Sequence, residues 1–149
     1  MTAPQIFINL PVTDLDRAKA FYEAIGYRVN PAFTDHNAAC VVIDDGHSYF
    51  MLLTREYFST FTKKQIADPT THVQTSIGIA RDSRDAVDGI LELGLAAGGA
   101  EPNDPQDLGF MYSRDLDDPD GNALSFLWMD PVAAEQGPPA DAETVAASS

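Results

Sequence analysis

The feature that most constrains the fold is an order of segments that occurs twice. A strand, a helix and further strands follow one another over about 5–54, and the same order returns over about 72–130. In the first run, Ile6, Ile8, Leu10 and Val12 alternate with Phe7, Asn9 and Pro11, the period of a strand with one buried face. Pro11 has no N–H to donate, so the strand ends or lies at an edge there. Leu15, Ala18, Phe21, Tyr22 and Ile25 then recur at helical spacing, with Thr13 or Asp14 as the cap and Gly26 as the stop. A short strand near 27–29, a strand over 38–43, the turn Asp44-Asp45-Gly46-His47 and a strand over 48–53 complete the run.

The second run predicts a strand over 73–80 and a helix opening near Asp82-Ser83. That helix carries Ala86, Val87, Ile90 and Leu91 on one face. Strands over 109–113 and 123–129 follow, joined by the turn Asp117-Asp118-Pro119-Asp120-Gly121-Asn122. At an offset of 68, Asp14 overlays Asp82, Ala18 overlays Ala86, Ile25 overlays Leu93 and Gly26 overlays Gly94. Neither unit is large enough to close a core, so two such units pack together and share one. The connection over 54–71 is polar and irregular apart from Tyr57, Phe58 and Phe61. A link of this length is functional or carries a short helix, and covers the site or a partner surface. The stretch 131–149, rich in Ala, Pro, Glu and Ser, reads as a disordered tail with at most a helical turn around 140–147.

Charge and composition exclude several roles. A net charge of -14 repels phosphate backbones and anionic membranes, so nucleic acid and membrane are not expected partners. No apolar run approaches a membrane span, and the first residues show no signal peptide, which predicts a cytoplasmic protein. Cys40, the single cysteine, lies in an apolar run and reads as a small core hydrophobe. Nucleophile elbows, phosphate loops and His-Glu-x-x-His are absent from the sequence. The aspartates at 115, 117, 118 and 120 lack the ligand series of a calcium loop and read as turn chemistry on a solvated acidic face.

Two segments carry a family likeness. Residues 7–22 (FINLPVTDLDRAKAFY) with Ile25-Gly26-Tyr27, and 117–121 (DDPDG) with the strand ending in 126–130 (FLWMD), resemble the glyoxalase, bleomycin-resistance and extradiol dioxygenase superfamily. The resemblance implies an α+β fold: two βαβββ modules, about 5–54 and 72–130, forming a cupped mixed sheet within one domain, 1–130. In metal-dependent members, His, Glu or Gln from four strands hold a divalent ion that acts as a Lewis acid. Carried onto this sequence, the four positions are Phe7, Leu52, Ser125 and, on the third strand, Thr75 by gapless alignment or Ser76 by strand parity, which is preferred. Hard divalent ions want imidazole and carboxylate, and none of these residues supplies either. His36, His47 and His72 have no companion ligands in the sequence, and Glu56 lies past the expected strand position. Neither a metal nor another cofactor is expected.

The resemblance then implies a cup lined by Phe7, Asn9, Phe50, Leu52, Gln74, Ser76, Tyr112 and Ser125. Gly78, Ala123 and Leu127 lie beside them, and Leu124, Phe126 and Trp128 face the helices. An apolar lining with a few neutral polar groups suits a small organic molecule. The expected function is metal-free binding of such a molecule, as bleomycin-resistance proteins bind theirs in grooves between two subunits, which implies a homodimer. The alternatives are a divalent-metal lyase, isomerase or dioxygenase with non-standard ligands, and a protein-interaction module without a small ligand.

Overall fold

The computed structural model describes residues 3–140 of the 149-residue chain. Its elements fall into two βαβββ modules. The first comprises β1 (Ile6–Val12), α1 (Leu15–Ala24), β2 (Arg28–Asn30), β3 (Ala38–Asp44) and β4 (Ser48–Thr54). A connection carrying α2 (Arg55–Phe58) and a 3₁₀ turn (Ser59–Phe61) leads to the second. The second comprises β5 (Ser76–Ala80), α3 (Arg84–Ala96), β6 (Gln106–Asp107), β7 (Met111–Asp117) and β8 (Ala123–Met129). Each module forms a four-stranded mixed sheet, ordered β1-β4-β3-β2 and β5-β8-β7-β6, in which the first strand runs parallel to the last.

Local chemistry explains the helices. Asp14 caps α1 by accepting from Arg17 N, and Ser83 caps α3 by accepting from Ala86 N. Gly26, with φ +107°, supplies the left-handed residue that turns the chain out of α1. The buried faces, Ala18, Phe21 and Tyr22 on α1 and Val87, Ile90 and Leu91 on α3, superimpose at an offset of 69. The sequence overlay at 68 is therefore corrected by one residue, because the second helix is capped by Ser83 and not Asp82. Both faces contribute to one apolar cluster that continues through Leu10, Leu52, Leu124 and Phe126, so the modules share a core.

The turn between β7 and β8 joins the modules. Asp118 and Asp120 are buried, which corrects the reading of this cluster as a solvated face. Turn chemistry remains: Asp118 Oδ1 accepts from the backbone N–H groups of Asp120 and Asn122. The outer oxygens reach across to the first module. Asp118 Oδ2 accepts from Tyr22 Oη at 2.8 Å, and Asp120 Oδ1 accepts from Thr13 N and Arg17 Nη2. Burial pushes the Asp118 carboxyl up, and burial together with Asp118 pushes the Tyr22 hydroxyl well up.

Past β8, Pro131–Gln136 form α4, capped by Asp130, with Ala133 buried. The first residues of the expected disordered tail are thus helical, Pro131 fitting the first turn where no N–H is required. The helical turn expected around 140–147 lies outside the described residues beyond 140. No described helix is long and apolar enough to cross a membrane.

Candidate ligand-binding site

Strand register decides which side chains leave the core. On β1, Ile8, Leu10 and Val12 face the helices, so Phe7, Asn9 and Pro11 face the open side. Across the parallel pair, Phe7 sits beside Tyr49, Asn9 beside Met51 and Pro11 beside Leu53. The open side of β4 is therefore Tyr49, Met51 and Leu53. Phe50 and Leu52, expected in the cup, belong to the core, at 2% and 0% exposure. The run from Tyr49 to Leu53 is apolar throughout, so it offers no alternation from which to choose a face, and a one-residue slip inverts every side chain.

In the second module, Ser76 pairs with Ala123, Gly78 with Ser125 and Ala80 with Leu127, all on the open side, while Leu124 and Phe126 are buried beneath the helices. Trp128 packs against the same core. Tyr112 pairs with Trp128 across β7 and β8 and so also faces the helices. Its hydroxyl donates to Asp88 Oδ1 on α3 at 2.6 Å, which removes it from the expected cup lining. Arg84 lies over both rings, 5.1 Å from the Trp128 centroid and 5.2 Å from that of Tyr112.

By the symmetry of the two modules, the four strand positions that the resemblance implies for a metal correspond to Phe7, Met51, Ser76 and Ser125. Met51 replaces Leu52 by register. Phe7 is stacked on Tyr49 at 4.8 Å between centroids. A phenyl ring, a thioether and two hydroxyls do not fit a hard divalent ion. Among the described residues, no group of three or more His, Cys, Asp or Glu side chains is placed to hold one. His47 pairs with Asp44 at the surface, and Glu56 lies exposed on α2. Cys40 is buried on β3 as expected, and burial pushes its thiol up.

A cavity of about 330 Å³ opens at the seam between the modules. Asn9 and Pro11 of β1, Ile77 of β5 and Asn122 and Ala123 at the start of β8 form its floor. The connection forms the opposite wall with Phe58, Lys64, Ile66 and Pro69, then His72, Val73 and Gln74 as the chain approaches β5. Of the eight expected lining residues, Asn9 and Gln74 line this cavity. Phe7, Ser76 and Ser125 lie on the open sheet faces, and Phe50, Leu52 and Tyr112 lie on the helix side. Gln74 precedes β5: the strand expected over 73–80 begins at Ser76, and 73–75 are exposed and outside the sheet. Two fixed points hold the wall. Arg55 donates to the Ile66 and Ala67 carbonyls, and Gly121 lets the β7–β8 turn approach the Pro69 backbone. A second, more open trough lies on the first sheet, between Asn9, Met51, Phe33 and the edge-to-face pair Tyr57 and Phe61.

In the sequence, His72 is weighed only as a metal ligand and Lys64 is placed at no site; both line this cavity. The signal that finds them is the distribution of charge: the segment 55–75 carries three basic and two acidic residues, in a chain with 9 Lys and Arg against 23 Asp and Glu.

Comparison with known proteins agrees with the architecture. Residues 5–44 match the family model described as bleomycin resistance protein-like N-terminal. No curated protein matches the chain. Among solved structures, hypothetical protein SA1046 from S. aureus superimposes with a TM-score of 0.71 at 22% identity, covering 85% of this chain and 94% of that one. A glyoxalase/bleomycin resistance protein/dioxygenase family enzyme from Burkholderia phytofirmans PsJN gives 0.68 at 18%, covering 83% and 96%. TnmS3, an antibiotic binding protein from Streptomyces sp. CB03234, gives 0.61 at 18%, covering 86% and 97%. The chain therefore has the glyoxalase/bleomycin-resistance fold, a fold that carries both enzymes and binding proteins.

Proposed function

We propose that this protein binds a small organic molecule without a metal ion, in the seam cavity, and acts as a homodimer. The observation that carries the reading is the cavity itself. Its volume falls within the range of small-molecule sites, and its walls are mostly apolar, with amides, Lys64 and His72 among the polar groups that could orient a guest. The poor fit of Phe7, Met51, Ser76 and Ser125 to a divalent ion supports binding over Lewis-acid chemistry. TnmS3, which shares the fold, is an antibiotic binding protein, and that likeness supports the same class of role.

The homodimer rests on the open sheet faces. Ser76, Gly78 and Ala80 form an exposed row of small residues on an edge strand, and Phe7, on the open face of β1, and Val73, at the cavity, are more than half exposed. A second copy laid on these faces would bury them and close the cavity mouth.

Metal analysis of the purified, untagged protein, combined with thermal-shift measurements across small aromatic compounds, tests the reading. The expected result is no stoichiometric divalent ion and a ligand-dependent rise in Tm that survives chelation. A stoichiometric ion required for binding would contradict it.

A further inference from the structure

We infer that the seam cavity selects an apolar molecule bearing one anionic group, which meets Lys64 and His72 on the connecting wall; this rests on the binding role proposed above.

The inference begins with where the charges are not. The chain carries 23 Asp and Glu. None of them is among the eighteen residues that line the cavity, whereas Lys64 and His72 are. The contrast is sharpened by how the remaining cations are used. Arg17, Lys19, Arg28, Arg84 and Arg114 each pair with a carboxylate. Lys64 forms no ion pair among the described residues, and three of the four cations without an acidic partner, Arg55, Lys63 and Lys64, belong to the connection that walls the cavity. Arg55 is held by backbone carbonyls, and of the two lysines Lys64 lines the cavity and is left to face a ligand.

His72 is prepared for the same task. The Thr71 hydroxyl lies 2.8 Å from its Nδ1; with that hydroxyl as the donor, the ring proton sits on Nε2, which is then free to donate to an anion. The acid closest in sequence, Asp68, is engaged locally: its Oδ1 accepts from Thr70 N and Thr70 Oγ1, and although its charge reaches His72, it borders a neighbouring hollow with Thr13 and Asp120 and does not line the cavity. The floor offers no charge, only Asn9, Pro11, Ile77, Asn122 and Ala123. A ligand complementary to this arrangement is flat or compact, apolar over most of its surface, and carries a carboxylate or comparable anion at the end nearest the connection. The overall charge of -14 opposes approach of any anion from a distance. That repulsion is screened beyond about 8 Å at physiological salt, so the groups in direct contact decide selectivity.

Three probes of matched size test this: 2-naphthoate, 2-naphthylmethanol and 2-naphthylmethylamine, titrated into the full chain at 150 mM salt with chelator present. Naphthoate is expected to bind about tenfold more tightly than the amine, the gain of one partly solvated charge-assisted contact. In the double variant Lys64→Gln/His72→Gln, naphthoate should lose about tenfold while the alcohol changes less than about twofold. Circular dichroism of the variant establishes that it remains folded. Equal or tighter binding of the amine, or equal loss for naphthoate and the alcohol, overturns the charge preference alone. If none of the three binds, the cavity's binding role falls, and the preference with it.

Discussion

Tyr22 and Asp118 meet at 2.8 Å across the boundary between the modules, a hydroxyl on α1 donating to a carboxylate in the β7–β8 turn. Both residues are buried, and the bond lies above the shared apolar cluster. Tyr22→Phe keeps the ring and removes the donor from a charged acceptor. The expected loss in urea unfolding at pH 7 is about 1.5–3 kcal/mol with an unchanged m-value. The difference should shrink as the pH falls, because a protonated Asp118 loses less when the hydroxyl is gone. A loss below about 0.5 kcal/mol at pH 7 would remove this bond from any role in joining the modules.

The acid residues divide into two groups with opposite effects on stability. Burial raises Asp118 and Asp117 above the usual carboxylate range, so the folded chain binds their protons more tightly than the unfolded chain does. Their contribution improves as the pH falls from neutral through their titration. Asp88 is held down by the Tyr112 hydroxyl and Arg114, Glu101 by Arg114 and Asp107 by Arg84. Their stabilisation is present above about pH 4 and is lost below it. The predicted Tm profile therefore falls below about pH 4, where the paired carboxylates are protonated, with Asp118 and Asp117 partly offsetting the loss. A Tm that keeps rising below about pH 4 would contradict these assignments.

Gly121 ties the turn to the cavity wall. Its φ is +97°, and a Cβ there would lie 2.9 Å from both the carbonyl carbon and the oxygen of Pro69. Gly121→Ala should cost about 1–3 kcal/mol through backbone strain and displacement of the connection, and should weaken ligand binding as well. Gly109→Ala is the matched control: its φ is +81°, but nothing lies within 4 Å of the added atom. The control should lose stability by strain alone and bind normally. Equal effects on binding would separate the wall from the site.

Much of this was legible in the chain. The alternation of Ile6 to Val12 and the spacing of Leu15 to Tyr22 specify a strand and a helix because each has one buried face, and both form where expected. Ser76 was placed by strand parity, and its pairing with Ala123 agrees with it. Parity failed where the pattern carries no contrast. Tyr49 to Leu53 is apolar on both faces, so parity offers no choice between them, and Phe50 and Leu52 lie on the helix side rather than in the cup. Tyr112 was misplaced because β7 extends to Asp117, and only its pairing with Trp128 fixes its face. Asp118 and Asp120 read as surface residues because their partners Tyr22, Thr13 and Arg17 lie about a hundred residues earlier. The seam cavity was out of reach for the same reason: its walls come from β1, the connection and β8.

Ala123 offers a way to close the site without touching the core. It lies on the open face of β8 and lines the cavity, while its neighbour Leu124 packs beneath the helices. Ala123→Trp should reduce ligand affinity by more than about tenfold while changing unfolding free energy by less than about 0.5 kcal/mol. Unchanged affinity in a folded variant would place the ligand elsewhere, the trough at Met51 and Phe61 being the next place to look.

The central claim, metal-free binding at the seam, is tested most directly by amide chemical shifts of the isotopically labelled protein during titration with 2-naphthoate, in chelator and then with added divalent ion. The account predicts saturable shifts at Asn9, Gln74, Ile77 and Ala123 in chelator, and no further change when metal is added. Shifts that arise only with metal, or that centre on Phe7, Met51, Ser76 and Ser125, would contradict it.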